Sequence, residues 1–247
     1  MKRLVIFDLD GTLLYTVPDI AAATNQALAA CGYPVHSETD IASFIGNGIN
    51  KLFERALPEN ARSQEEVLRI RSLFLPYYGE HCADMTRPFD GIPELLTGIC
   101  RHGIKVAVAS NKYHPATVKL IQHFFPETPF CAVFGEREGV PRKPEPMIVW
   151  DILRKAGISV SDDGRESVLY VGDSGVDMQT AANAGLEAVA VTWGCRTREE
   201  LASYSPAHIV DRPEQIADIL FNGTSCRCLD GESRPTHADA SSLRDSI

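Results

Sequence analysis

A chain of 247 residues can bury one substantial core together with a small second domain or a long insertion. Hydrophobic residues make up 44% and charged residues 23%, as in ordinary globular proteins, and 33 acidic against 24 basic side chains give a net charge of -9 that excludes broad attraction to nucleic acid. No apolar stretch reaches the roughly 18 residues of a membrane span, and Met1-Lys2-Arg3 runs straight into a strand-like segment, so no signal peptide and a cytoplasmic location are expected.

The first element is a strand at 3–8. Its apolar run Leu4-Val5-Ile6-Phe7 delivers Asp8 and Asp10 at the C-terminal end, ahead of the small polar pair Gly11-Thr12. Open α/β sheets place their active sites at that edge. Residues 17–87 then hold helical segments near 18–31, 38–45, 49–57 and 63–83 with no convincing strand, the pattern of a helical insertion forming a lid. Strand-like runs resume at 104–110, 130–134, 167–172, 187–192 and 207–210, rich in Val, Ile and Ala. Helices are expected at 115–124, opened by Pro115, at 144–156, opened by Pro144 and closed by Gly157, and at 175–184, closed by Gly185. This alternation predicts an α/β fold, a doubly wound, mainly parallel, Rossmann-like sheet with an inserted α-helical cap domain. The expected division is a core of residues 1–16 and 88–222, a cap at 17–87, and a disordered tail at 223–247 that is too poor in apolar residues to order itself. The seven cysteines are scattered, only Cys226 and Cys228 being close, and the seven histidines lack metal-ligand spacing, so neither a disulfide framework nor a zinc site is expected.

Three further polar clusters stand just past strand-like runs. Val106-Ala107-Val108-Ala109 ends in Ser110-Asn111-Lys112, which offers a hydroxyl, an amide and an ammonium to an anion. Arg142-Lys143-Pro144 precedes a helix start, whose amides favour negative charge. Val168-Leu169-Tyr170-Val171 ends in Gly172-Asp173-Ser174-Gly175-Val176-Asp177, which adds two carboxylates. Together with Asp8 and Asp10, these clusters are expected to converge on one crevice.

In this order, and over nearly all of residues 1–221, the sequence resembles the haloacid dehalogenase superfamily of phosphohydrolases. The resemblance implies that Asp8 is a nucleophile that carries the phosphoryl group as an aspartyl phosphate. It makes Asp10 the acid that protonates the leaving oxygen and then the base that activates water. Lys143 would neutralise Asp8 and the transferring oxygens, while Ser110 and backbone amides hold the phosphoryl group in line. Asn111 and Lys112 join the substrate-binding set, and Thr12 either contacts phosphate or fixes the nucleophile loop as a turn or helix start. Carboxylate and phosphate repel each other, so a magnesium ion is expected. The resemblance places it on the Asp8 side chain, the Asp10 backbone carbonyl and the Asp173 side chain. Ser174 and Asp177 would support this set from behind, with Asp177 orienting a metal-bound water or Lys143. An acid at position 10 favours phosphoester chemistry over halide expulsion, and the superfamily's ion pumps, with threonine there and membrane helices, are set aside.

The segment Gly46-Asn47-Gly48-Ile49-Asn50-Lys51-Leu52-Phe53-Glu54-Arg55-Ala56-Leu57 is similar to one in phosphoglycolate phosphatases, as are Ser110-Asn111-Lys112 and Arg142-Lys143-Pro144-Glu145-Pro146. Gly46, Asn47 and Gly48 would expose amides to a small carboxylate. Ile49, Leu52, Phe53 and Leu57 pack the cap, and Lys51 and Arg55 either meet substrate or stay solvated. The expected activity is Mg2+-dependent hydrolysis of a small phosphorylated metabolite, 2-phosphoglycolate first. The alternatives are a sugar-phosphate mutase, a pyrophosphatase or a nucleotidase on the same fold, or a non-catalytic phosphate-binding protein. No nucleic-acid or membrane partner is expected, and the chain is expected as a monomer or homodimer.

Overall fold

The computed structural model describes residues 1–221, and the expected tail at 223–247 lies outside the described residues. The chain opens with β1 (Leu4–Phe7) and the short β2 (Leu14–Tyr15). Four helices follow, α1 (Val17–Ala30), α2 (Glu38–Phe44), α3 (Ile49–Ala56) and α4 (Gln64–His81), before the short β3 (Arg87–Pro88). Next come α5 (Ile92–Arg101), β4 (Lys105–Tyr113), α6 (His114–Phe124), β5 (Phe130–Glu136) and α7 (Met147–Ala156). The described chain ends with α8 (Asp162–Glu166), β6 (Val168–Gly172), α9 (Gly175–Ala184), β7 (Glu187–Val191), α10 (Arg198–Ala202), β8 (His208–Val210) and α11 (Pro213–Phe221). No described helix is long and apolar enough to cross a membrane.

Six strands form one parallel sheet in the order β5-β4-β1-β6-β7-β8. Leu4 is in register with Lys105 on one side and Val168 on the other, so β1 is the central strand. Side chains alternate across a strand, and both faces here are covered. Val5, Phe7, Val106, Val108, Leu169 and Val171 enter one apolar cluster. Leu4, Ile6, Ala107, Ala109, Val168 and Tyr170 enter the other, under α7 and α9. Burial on both sides explains why β1, β4 and β6 read as continuous apolar runs. The chain order reverses between β4 and β6 on either side of β1, which opens a crevice beyond the C-terminal ends of these strands.

Helices α1–α4 lie between β2 and β3 in the chain and add no strand to the large sheet. Ser37 caps α2 in a reciprocal box with Asp40, and Ser63 caps α4. Leu28, Ile41, Phe53 and Ile70 are fully buried among these helices. Phe53 meets Phe74 edge-on at 5.1 Å, and Phe74 stacks on Tyr78 at 4.9 Å. Where the chain leaves and re-enters the sheet region, β2 and β3 pair antiparallel. Buried Asp19 accepts hydrogen bonds from the Met85 and Thr86 amides at that crossing, at 3.0 and 2.8 Å.

Two expectations about elements need correction. The helix expected from Pro144 begins at Met147 instead, because Arg142–Glu145 closes a turn in which the Glu145 amide donates to the Arg142 carbonyl at 2.9 Å. Glu145 itself precedes Pro146, which disfavours helical backbone there. Helices α5 and α11 were not expected, although Ile92, Leu95, Leu96 and Ile99 recur at helical spacing and are buried.

Candidate active site

The C-terminal ends of β1, β4 and β6 bring Asp8, Ser110 and Asp173 to one open cleft, roofed by residues of α1, α3, α4 and the loop before α3. Lys143 arrives from the turn before α7. Its Nζ lies 2.8 Å from Asp177 Oδ1, 2.9 Å from the Ala109 carbonyl and 2.9 Å from Asp8 Oδ1. The last approach is off the angle of a hydrogen bond, so Asp8 Oδ1 is buried beside a charge but has no donor. Burial opposes the charge on Lys143, yet Asp177 and Asp8 outweigh it and hold the ammonium well above its usual range. Burial, and then the Asp177 charge, push Asp8 well above the ordinary carboxylate range, with Lys143 pulling the other way.

Asp173 is held from both sides. Its Oδ2 accepts the Cys195 amide at 2.8 Å and its Oδ1 the Thr12 hydroxyl at 3.3 Å. Gly11 has a φ of +84°, and a Cβ there would fall 2.3 Å from Asp173 Oδ2, so the small residue after Asp10 is what lets this carboxylate approach the β1 loop. Burial first, and the charge of Asp177 second, push Asp173 up to about 7. Asp177 is anchored in α9. Its Oδ2 takes the Ser174 amide at 3.1 Å and the Ser174 hydroxyl in a capping box, while Oδ1 takes Lys143.

Asp8, Asp173 and Asp177 each offer an oxygen within 4.8 Å of the others. One ammonium is shared by Asp8 and Asp177, and Asp173 has no cationic partner within ion-pair reach among the described residues. A donorless buried oxygen next to two more carboxylates is the donor set of a hard divalent cation, and Mg2+ fits it. Asp177 is spent on the Lys143 ammonium and Ser174, whereas Asp8 keeps a donorless oxygen and Asp173 is met only by neutral donors, so these two are the side chains that could hold such an ion.

Asp10 stands apart from that trio. Its Oδ1 accepts the Thr16 hydroxyl at 2.7 Å and the Lys112 ammonium at 2.9 Å. The carboxylate is thereby fixed at the rim of the cleft with one oxygen engaged. Ser110 lines the cleft, and its hydroxyl oxygen accepts the Lys112 amide at 3.2 Å.

Several expected substrate ligands are differently employed. Asn111 holds Lys143 in place, accepting its amide at 2.9 Å and donating to its carbonyl at 3.0 Å, and the same amide nitrogen lies 3.2 Å from the Gly46 carbonyl. Gly46 and Gly48 line the cleft; Asn47 does not. Arg55 and Asn47 are not brought to it, because the Arg55 guanidinium binds the Phe44 carbonyl at 2.8 Å and Asn47 Oδ1 at 2.7 Å, closing the loop on itself. Lys51 points to solvent, 54% exposed, and pairs with Glu54 one helical turn on at 2.7 Å.

Residues that the sequence did not single out also line the cleft. Tyr78 comes from α4, and Cys195 and Arg196 from the loop after β7. Arg196 reaches across to the opposite wall, where Nη2 donates to the Ile45 carbonyl at 2.7 Å and Nη1 to the Ala42 carbonyl at 3.3 Å, tying the end of α2 to the sheet. The signal for Arg196 was faint: a cation in a Gly/Cys-rich loop past an apolar strand.

Residues 5–191 match the model of the haloacid dehalogenase-like hydrolase family. The phosphoglycolate phosphatase of Pectobacterium atrosepticum is 34% identical over 229 residues, which cover 90% of this chain and 94% of that relative. That of Mesorhizobium japonicum is 32% identical, over 85% of this chain and 90% of its own. The crystal structure of a predicted phosphoglycolate phosphatase from Haemophilus somnus superposes with a TM-score of 0.80 at 29% identity, covering 89% of this chain and 98% of that one. With a carboxylate at the end of β1, a lysine between strands and paired aspartates after β6 in the matched order, the chain belongs to the haloacid dehalogenase-like hydrolase family.

Proposed function

We propose that this chain is a Mg2+-dependent phosphatase that hydrolyses a small phosphomonoester, 2-phosphoglycolate first. The observation that carries the reading is Asp8: a buried carboxylate with a donorless oxygen, one cation beside it and the Asp173 carboxylate close by. Asp8 attacks phosphorus through a carboxylate oxygen, forming an acyl phosphate as the bond to the leaving oxygen breaks. Asp10, held at the rim by Thr16 and Lys112, gives its proton to that oxygen. Asp10 then takes a proton from the water that attacks the phosphorus of phospho-Asp8, which returns the free carboxylate and releases inorganic phosphate. Lys143 and the Ser110 hydroxyl stabilise the charge spread over the transferring oxygens. Asp8, the Asp10 backbone carbonyl and Asp173 would hold the Mg2+, which supplies positive charge against the repulsion between carboxylate and phosphate. Helices of residues 17–87 act as the cap over this reaction. The substrate choice is supported by the activity named for the two relatives above.

Release of inorganic phosphate from a generic aryl phosphate tests the reading. Turnover is expected with Mg2+ and not after chelation, and Asp8→Asn lowers kcat by at least about 10,000-fold. Full activity in that variant, or with chelator present, rejects it. A kinetic panel of 2-phosphoglycolate, sugar phosphates, nucleotides and pyrophosphate at matched Mg2+ then ranks substrates by kcat/KM.

A further inference from the structure

Among the described residues, two side chains lining the cleft carry a buried polar atom with no hydrogen-bond partner, Asp8 Oδ1 and the Tyr78 hydroxyl. The cation at Asp8 answers the first. Nothing in the chemistry proposed above uses the second. Tyr78 is 3% exposed, and its ring is fixed between Phe74 and the Lys112 ammonium, which sits over the ring face 4.7 Å from its centroid. The ammonium lies over the ring and bears on the hydroxyl oxygen, but an ammonium can only donate, so the phenol's own O–H still has no acceptor. Burial raises the pKa of the phenol, so it remains a neutral O–H donor. Burial opposes the charge on Lys112, but Asp10 outweighs it and keeps the ammonium protonated.

The wall around these two donors is apolar, formed by Ile45, Ile49, Leu52 and Phe74. An O–H left unpaired in such a wall destabilises the protein. Phenylalanine would fill the same space without that penalty. A hydroxyl retained there fits a site that completes its hydrogen bond only when ligand is present. A group meeting a phenol and an ammonium together is an acceptor, and beside a cation an anionic acceptor is favoured.

The geometry points to Tyr78 as a specificity-determining residue that, with Lys112, receives a carboxylate on the alcohol portion of the phosphate ester. This inference rests on the phosphatase reading above and names the class of leaving group that the cleft selects. Lys112 then links the two ends of the reaction, touching the proton donor Asp10 through one N–H and the leaving group through another.

The test compares three short esters, 2-phosphoglycolate, 2-hydroxyethyl phosphate and ethyl phosphate, on wild type and Tyr78→Phe. Wild type is expected to prefer 2-phosphoglycolate over ethyl phosphate by about 100-fold or more in kcat/KM, with the hydroxyethyl ester between them. Tyr78→Phe lowers kcat/KM for 2-phosphoglycolate by about 10- to 100-fold and for ethyl phosphate by less than about threefold. Without ligand, Tyr78→Phe keeps Tm or raises it by up to about 2–4 °C. Equal losses on all three esters, no wild-type preference, or a fall in Tm each overturn the inference while leaving the phosphatase reading in place. A wild type that turns over none of the three esters nor an aryl phosphate overturns both.

Discussion

The strand ends that floor the cleft and the helices that roof it face the same space with opposite chemistry. On the floor, Asp8, Asp173, Asp177 and Lys143 are buried and interlocked, and each charge is held by a neighbour from a different strand or loop. On the roof, Ile45, Ile49, Leu52 and Phe74 face inward, while the cations of α3 are spent on Glu54, Phe44 and Asn47. A floor built this way is organised before substrate arrives, which is what stabilising a developing charge requires. The roof presents a mostly apolar surface to the same space. The difference teaches that the charged machinery is concentrated on the strand ends, while the helices meet it at few polar points, Tyr78 over Lys112 among them.

The sharpest break comes from Lys143→Ala. It leaves Asp8 and Asp177 buried without their shared cation, a loss of about 3–5 kcal/mol of stability for a broken buried pair. On the proposed mechanism the same ammonium stabilises the transferring oxygens, so the kcat of whatever folds is expected to fall by about 1,000-fold or more. Chemical denaturation and phosphate release measure the two, and a variant with wild-type stability would show that the floor is not interlocked.

A middle-sized effect concerns pH. Asp173 titrates near 7 in the folded protein against an ordinary 3.8, so proton binding favours the fold; that stabilisation is full below about pH 4 and is lost as pH rises through 7. A cation on Asp173 competes with this proton. The rise in Tm on adding Mg2+ is therefore small at pH 5, grows through pH 7 and levels off above it, as differential scanning fluorimetry can record. An Mg2+ effect independent of pH would place the ion away from Asp173.

Smallest is Lys51→Ala on the roof. An exposed ion pair one turn apart contributes about 0.2–1 kcal/mol or less, and kcat/KM should change by less than about twofold. A tenfold loss would return Lys51 to the substrate and blur the contrast between the two walls.

Much of the floor was legible because its parts are local in sequence. β1 announces itself by an unbroken apolar run, and Asp8, Asp10, Gly11 and Thr12 follow within five residues. The roof was less so. The amphipathic pattern of α3 tells which residues face the core, as Ile49, Leu52 and Phe53 show, but not what Lys51 and Arg55 meet on the far side. Tyr78 reads as one more core aromatic on α4, and its place over Lys112 depends on a contact across 34 residues of chain that no periodicity encodes. Arg196 is similar, since its bonds to Ala42 and Ile45 exist only once the helices have folded back over the sheet.

At Leu14–Tyr15 and Arg87–Pro88 the polypeptide departs and comes home side by side, about 4.8 Å apart as neighbouring strands are. An excursion with coincident ends imposes no span on its host, and doubling its length adds only about 0.6 kcal/mol of closure entropy. Helices of another size can therefore be grafted at this junction without dragging the catalytic strands out of alignment, which makes it the natural seam for exchanging selectivity between homologous enzymes.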